Sequence, residues 1–166
     1  MAGEAVVSPR HRVGVVVERT VRPHNGTDRE YFAIDVERRG LRLLVPVDGE
    51  HNACLRHLSS REEANEALAA LAADPQSLPE NWRTRHREAV QRFGIGNLRS
   101  TAELVRDLAH SARGHQLAAG DRELYESARE LLEAELQAVL DIGPRKATRK
   151  VRDRLGLPDA ATRAAR

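Results

Sequence analysis

Residues 79–90, PENWRTRHREAV, place the only tryptophan of the chain, Trp82, beside a group of arginines. Asn81 before it predicts the cap of a helix that runs to about Phe93. The arginines of the segment are Arg83, Arg85 and Arg87. A helix N-terminus offers free N–H groups and a partial positive charge, and arginine forks match phosphate oxygens. An apolar ring flanked by arginines is typical of a wedge in the minor groove of DNA, so the segment predicts a nucleic-acid contact.

The same spacing also supports a structural role for the tryptophan. One face of such a helix carries Trp82, His86, Ala89 or Val90, and Phe93. In that arrangement the indole closes the top of a helical core. The pattern alone supports the wedge and the core plug equally.

No group of residues predicts catalysis. The HExxH, GxSxG, CxxC and phosphate-loop patterns are absent, and Gly94 and Gly96 follow a helix rather than a strand. His51, Cys54 and His57 are evenly spaced, but a fourth ligand and the spacing of a common zinc module are lacking. We therefore expect a protein that is not an enzyme and that uses no metal, cofactor or small-molecule substrate.

Charge is distributed in blocks along the chain, although its formal net value is only +2. Residues 81–93 hold four arginines against one glutamate, and residues 142–166 hold eight basic residues against two aspartates. Local patches of this kind matter more for phosphate partners than the total does. A single cysteine, with no apolar run of signal or membrane-span length, predicts a soluble cytoplasmic protein without a membrane partner.

Four strands are predicted up to residue 47, in the runs EAVVS, VGVVVERTVR, EYFAIDVE and LRLLVPV. Asn25-Gly26 is a strong signal for a hairpin turn. Gly14, inside a run of valines, predicts a bulge or a sharp bend. So few strands must curl to cover their core, which predicts a small bent sheet or partial barrel.

Beyond the strands the spacing of apolar residues is helical. Ser59-Ser60 before two glutamates is a capping signal, and Ser100 with Glu103 predicts a capping box that opens a third helix. A long helix is predicted from Asp121 to about Leu140.

The last predicted helix, residues 144–155, is short and basic. Its charges either contact phosphates or form a solvated face, and the pattern slightly favours the solvated face. The whole chain is therefore α+β, with a β domain over residues 1–56, a helical domain over 57–158 and a flexible tail over 159–166.

Two groups of motifs, in fixed order, carry a resemblance. The β part contributes GEAVVSPRHRVGVVVE, REYFAIDV and LRLLVPV, and the helical part contributes PENWRTRHREAV and AELVRDLAHSARGHQLAAGDRELYESARELLEAEL. Over about residues 3–140 these resemble the CarD/CdnL family of bacterial transcription regulators, whose first domain is Tudor-like. The joint order of the motifs is more specific than any single one.

The resemblance implies that the first domain binds the β subunit of bacterial RNA polymerase and that the protein is associated with the nucleoid. It implies that the helical domain meets promoter DNA at the upstream edge of the transcription bubble. There the tryptophan enters the minor groove and stabilises the open complex. The residues expected at DNA are Trp82, Arg85, Arg87 and Arg122, and Arg83 is added because it lies next to the tryptophan in the sequence. On the β domain, Arg22 matches a basic position that faces the polymerase.

Several positions depart from the family pattern. Ser8 and Arg12 stand where many members carry Tyr and Gly, and Leu44 replaces a second basic residue that faces the polymerase. Arg42, on the same strand face, is the candidate replacement. Asp121-Arg122 replaces a doubly basic start of the long helix. Two other functions stay open from the sequence, a free-standing DNA-binding protein and a protein adaptor with a buried tryptophan.

Overall fold

The structure, a computed structural model, describes residues 3–8, 12–36, 40–48, 55–95, 97–114 and 116–157. Five strands precede five helices in these residues, which confirms the predicted α+β class. The chain forms two compact units, Met1–Leu58 and Ser59–Arg166, here called the β unit and the helical unit. The predicted tail, 159–166, lies outside the described residues.

The strands of the β unit are β1 (Ala5–Ser8), β2 (Arg12–His24), β3 (Thr27–Val36), β4 (Leu41–Pro46) and β5 (Arg56–His57). They form one antiparallel sheet in the order β4-β3-β2-β1-β5. Asn25 and Gly26 have φ of 52° and 78°, so the predicted hairpin turn between β2 and β3 is confirmed. Strand β5 was not predicted, because two residues are too few to show an alternating pattern.

The irregularity in β2 lies three residues away from its predicted position. The pairing of β2 with β3 shifts between Val16 and Glu18, so the bulge does not lie at Gly14, and the alternative of a sharp bend at Gly14 stays a prediction. A Cβ atom on Gly14 would lie 2.6 Å from Cγ2 of Ile34. The glycine is therefore required by the close approach of β3 rather than by a change in register.

The core of the β unit lies on one face of this sheet. Its buried side chains are Val6, Val16, Phe32 and Ile34, with Leu43, Val45, Val47 and Leu55 packed against them. The opposite face carries charged and exposed residues such as Arg22, Arg42 and Leu44, together with the buried Ala33.

The helices of the helical unit are α1 (Arg61–Ala72), α2 (Trp82–Ile95), α3 (Leu98–Gly114), α4 (Ala119–Leu140) and α5 (Pro144–Arg154). Their shared core is rich in leucine and alanine, and its fully buried members include Leu104, Leu108, Leu132, Leu136 and Val151. At the start of α1 the predicted capping signal is confirmed. The hydroxyl of Ser60 accepts from the N–H of Glu63, and the carboxylate of Glu63 accepts from the N–H of Ser60.

The start of α3 differs from the prediction. The helix begins at Leu98, and the Oδ1 atom of Asn97 accepts a hydrogen bond of 2.9 Å from the N–H of Ser100. The predicted capping box at Ser100 was therefore wrong. Glu103 instead accepts from Arg99 one turn earlier, as (i, i+4) neighbours on a helix do.

Candidate nucleic-acid interface

The N-terminal end of α2, here called the helix mouth, is formed by a side-chain cap. The Oδ1 atom of Asn81 accepts hydrogen bonds from the N–H groups of Arg83 at 3.0 Å and Thr84 at 3.3 Å. The cap satisfies two of the free N–H groups of the first turn and fixes Trp82 as the first residue of the helix.

The indole of Trp82 is 54% exposed, so it does not close a core. The guanidinium carbon of Arg83 lies 5.5 Å from the centroid of the ring, within the range of a cation–π contact. The ring is therefore presented to solvent with a cation held beside it. Of the two roles that the sequence left open for this side chain, the structure excludes the core plug.

A buried carboxylate fixes the position of the helix mouth. Asp121, in the first turn of α4, is 1% exposed and accepts a hydrogen bond of 2.7 Å from Nε of Arg85. Its second oxygen lies 3.1 Å from Nδ1 of His86. Arg85 also donates to the carbonyl oxygens of Pro79 and Glu80. The ion pair joins the start of α2 to the start of α4, and the two bonds to carbonyl oxygens join the same side chain to the segment before α2.

The same contact defines what Arg85 does in the structure. Its side chain is only 16% exposed, and its three acceptors lie within the helical unit. The observed role is to position the helix mouth, and the predicted DNA contact of Arg85 stays a prediction.

The close approach of α4 to α2 also accounts for a glycine. A Cβ atom on Gly120 would lie 3.0 Å from Cε1 of His86, so a larger residue would force the ring to move. No local pattern in the sequence predicts the Asp121–Arg85–His86 contact. An aspartate is common in the first turn of a helix because its charge interacts favourably with the helix dipole, so its presence does not indicate a partner. The two partners of Asp121 lie 35 and 36 residues away in the sequence.

Three of the predicted DNA-binding arginines point to solvent at this end of the helical unit. Arg83, Arg87 and Arg122 are exposed and make no ion pair within the described residues. Like Trp82, each lies within one helical turn of the Arg85–Asp121 pair along its own helix. We call Trp82, Arg83, Arg87 and Arg122 the helix-mouth surface. It combines an apolar ring with cations that are available to phosphate oxygens.

The residues predicted to face the polymerase share one face of the sheet. Arg22 in β2 is paired with Arg29 in β3, and Arg42 in β4 is paired with Asp35 in β3. Paired residues of antiparallel strands point to the same side, and side chains alternate along each strand. This register places Arg22, Arg42 and Leu44 on the face opposite the core, and Leu44 is 44% exposed.

Arg42 is held by a partner of its own. It donates from two nitrogens to the two carboxylate oxygens of Asp35, at 2.6 Å and 3.0 Å. The hydrogen bond from Arg42 lowers the pKa of Asp35 below its ordinary value. The exposed Arg22 makes no ion pair within the described residues. The polymerase contacts of both arginines stay predictions.

The other positions singled out in the sequence carry less chemistry. Ser8 and Arg12 are partners in the pairing of β1 with β2. His57 contacts Glu4 at 2.7 Å, while His51 and Cys54 lie outside the described residues. The described part of the chain contains no cluster of three metal-ligating side chains. No helix within it is long and apolar enough to span a membrane.

The fold and the helix-mouth surface define a class of protein with two units, one a small antiparallel sheet and the other a helical unit that presents an aromatic ring among cations. Residues 66–152, which include this surface, match the family described as CarD, C-terminal domain. The chain is also similar to the candidate transcription factor YdeB of Bacillus subtilis (strain 168). That similarity is 19% identity over 140 residues and covers 84% of this chain and 92% of YdeB. The family match spans more than half of the chain, which therefore belongs to the CarD family, and the resemblance found in the sequence is confirmed.

Proposed function

We propose that this protein is a non-enzymatic transcription regulator that bridges RNA polymerase and promoter DNA. Its β unit binds the β subunit of bacterial RNA polymerase, and its helical unit binds DNA at the upstream edge of the bubble. The binding stabilises the open complex. Membership of the CarD family and the likeness to a candidate transcription factor support a role in transcription.

The exposure of Trp82 carries the proposal. Aromatic residues are only 3% of this chain, and burial of an indole in a core would stabilise the fold by about 25 cal/mol for each Å² removed from water. The chain instead leaves the ring 54% exposed, beside Arg83. A ring placed in this way is available to a partner that can bury it.

The cations around the ring suit the backbone of DNA. Arg83, Arg87 and Arg122 are free to contact phosphates, and phosphate contacts set the register of a protein on a duplex without reading its sequence. The ring then enters the minor groove where a base step is already distorted. A ligand shifts an equilibrium only by its differential affinity for the two states. If this groove geometry exists only beside melted DNA, Trp82 favours the open complex over the closed one.

The face of the sheet that carries Arg22, Arg42 and Leu44 is the proposed surface for the polymerase. Arg22 is a cation free to pair with an acidic group of the partner, while Arg42 is shared with Asp35. The exposed Leu44 adds an apolar contact where a second cation is absent.

The substitution Trp82→Ala tests the proposal in a promoter open-complex assay with RNA polymerase. We expect the lifetime of the complex to fall by about five-fold to a hundred-fold, because contacts of an aromatic side chain with bases contribute about 1–3 kcal/mol each. Co-purification of the variant with polymerase should be unchanged.

The matched control is Val90→Ala, since Val90 is 46% exposed on the same helix and is not part of the helix-mouth surface. An unchanged lifetime with Trp82→Ala would contradict the proposal. Tight binding of promoter DNA by a protein that does not co-purify with polymerase would instead identify a free-standing DNA-binding protein.

A further inference from the structure

Helix α5 (Pro144–Arg154) is a basic helix with one apolar side. Ala147 and Val151 are buried within it, as is Leu155 just beyond it, and the helix packs against α1 and α4. Its single acidic residue is Asp153, and its basic residues are Arg145, Lys146, Arg149, Lys150, Arg152 and Arg154. Because the buried positions recur every four residues, most of these cations are turned away from the core.

Most of these cations have no ion-pair partner among the residues that the structure describes. Arg145, Lys146, Arg149, Lys150 and Arg154, which we call the α5 basic face, make no ion pair within the described residues, and all but the half-buried Lys150 are exposed. The exposed Arg99 of α3, in contrast, is paired with Glu103 and Glu66. Five like charges along one short helix repel one another, and an anionic partner relieves that repulsion.

The α5 basic face is separate from the helix-mouth surface. The hydroxyl of Thr148 in α5 donates to Glu133 of α4 at 2.7 Å, twelve residues after Asp121. At about 1.5 Å per residue this contact lies about 18 Å along α4 from the Arg85–Asp121 pair. The cations of α5 are therefore not part of the site already described.

We propose that the α5 basic face is a second binding surface for the phosphate backbone of DNA. The inference rests on the proposed function, which already brings DNA to the helical unit. Binding of DNA phosphates by the α5 basic face adds affinity that does not depend on base sequence and that decreases as the salt concentration rises.

The chemistry of the face favours phosphates over a protein partner. Protein interfaces have apolar and aromatic side chains at their centre, whereas phosphate contacts need only cations. The large exposed apolar side chains among the described residues of the helical unit are Trp82 and Val90, both in α2. Eleven residues of helix span about 16 Å, and duplex DNA carries about one negative charge per 1.7 Å of its axis. The helix can therefore face several phosphates at once.

The test is a fourfold substitution in the full chain, Arg145→Gln, Lys146→Gln, Arg149→Gln and Lys150→Gln. Glutamine keeps a high helix propensity, and the buried Ala147, Val151 and Leu155 are unchanged, so the circular dichroism and Tm should be close to those of the wild type. Binding to a labelled promoter duplex is measured by fluorescence anisotropy over a series of KCl concentrations, without polymerase. We expect the affinity at low salt to fall at least about tenfold. The slope of log K against log salt should become shallower by about 2–4, since each phosphate contact contributes about 0.9.

Single substitutions provide matched controls. Arg149→Gln should reduce the slope by about 0.9, whereas Arg99→Gln, which removes a paired arginine from α3, should leave it unchanged. Asp153→Asn removes the one acidic group of α5 and should strengthen binding.

Three outcomes would overturn the inference. They are an unchanged affinity and slope, a loss of affinity without a change of slope, and a loss of polymerase binding while DNA binding is retained. The last would assign the face to an acidic protein surface. Because the slope is measured without polymerase, a failure of the Trp82→Ala test would not alter its interpretation.

Discussion

At the scale of single residues, Asp121 determines how the tryptophan of α2 is presented. Its carboxylate binds Arg85 and His86, which lie three and four residues after Trp82. Arg85 and Trp82 are thus one helical turn apart. The side chain of Arg85 is largely buried in the helical unit, whereas that of Trp82 is exposed to solvent. Anchoring the arginine rather than the indole keeps the ring accessible without leaving the helix mouth loose.

Replacement of Asp121 by Ala should lower the free energy of unfolding by about 2–3 kcal/mol. The substitution leaves the donors of Arg85 and His86 without their carboxylate, and hydrogen bonds to charged groups contribute about 1.5–3 kcal/mol each. Urea denaturation followed by circular dichroism measures the loss. The control is Glu123→Ala, an exposed acid in the same turn of α4, with an expected cost below about 0.5 kcal/mol. Equal costs for the two variants would show that the buried contact is not a stabilising anchor.

At the scale of elements, Gly14 determines how closely β2 and β3 can pack. Its missing side chain leaves room for Ile34, which belongs to the core of the β unit, and for the carbonyl oxygen of Asp35 at 3.0 Å. Both strands also contribute to the face that carries Arg22 and Arg42. The distance between β2 and β3 at Gly14 therefore helps to position that face as well.

The substitution Gly14→Ala should destabilise the β unit by about 1–3 kcal/mol, because an added methyl group in a packed core forces backbone shifts. The measurement is thermal unfolding of the full chain. Gly94→Ala is the matched control, since Gly94 lies inside α2 and a Cβ atom there meets nothing within 4 Å. That change should be neutral or stabilising by up to about 1 kcal/mol. If both variants melted at the wild-type temperature, the close approach of β3 would not be a constraint.

The elements that could be predicted from the sequence are those whose signals are local. Three such signals are the regular spacing of apolar residues in α4, the Asn25-Gly26 turn and the capping box at Ser60. Each depends on residues that are close together in the chain. The bulge after Val16 and strand β5 depend on pairing between strands, which no local pattern records. The helix mouth shows the same division. Trp82 and its arginines were visible as a motif, whereas their anchor, Asp121, was not.

At the scale of the whole molecule, the proposed activity depends on both units being present in one chain. A unit held on the polymerase raises the effective concentration of the other at the DNA, which strengthens binding without any new contact. The two surfaces therefore contribute to different quantities. Under the proposed function, the β unit sets how much protein is needed to occupy the polymerase, and the helix-mouth surface sets how much the occupied complex is stabilised.

This division predicts different concentration dependences for two variants in the open-complex assay. Arg22→Glu should lengthen the lifetime of the complex as fully as the wild type does, but only at higher protein concentration, because charge reversal weakens occupancy alone. Trp82→Ala should not reach the wild-type lifetime at any concentration, because its defect lies in the bound state.

Arg19→Glu is the control for charge, since Arg19 is also exposed on β2 but lies across from the core residue Phe32. A titration curve for Arg22→Glu that matches the wild type would remove Arg22 from the interface. A curve with a lower plateau would show that the two units do not act separately, because a defect confined to occupancy disappears at saturation.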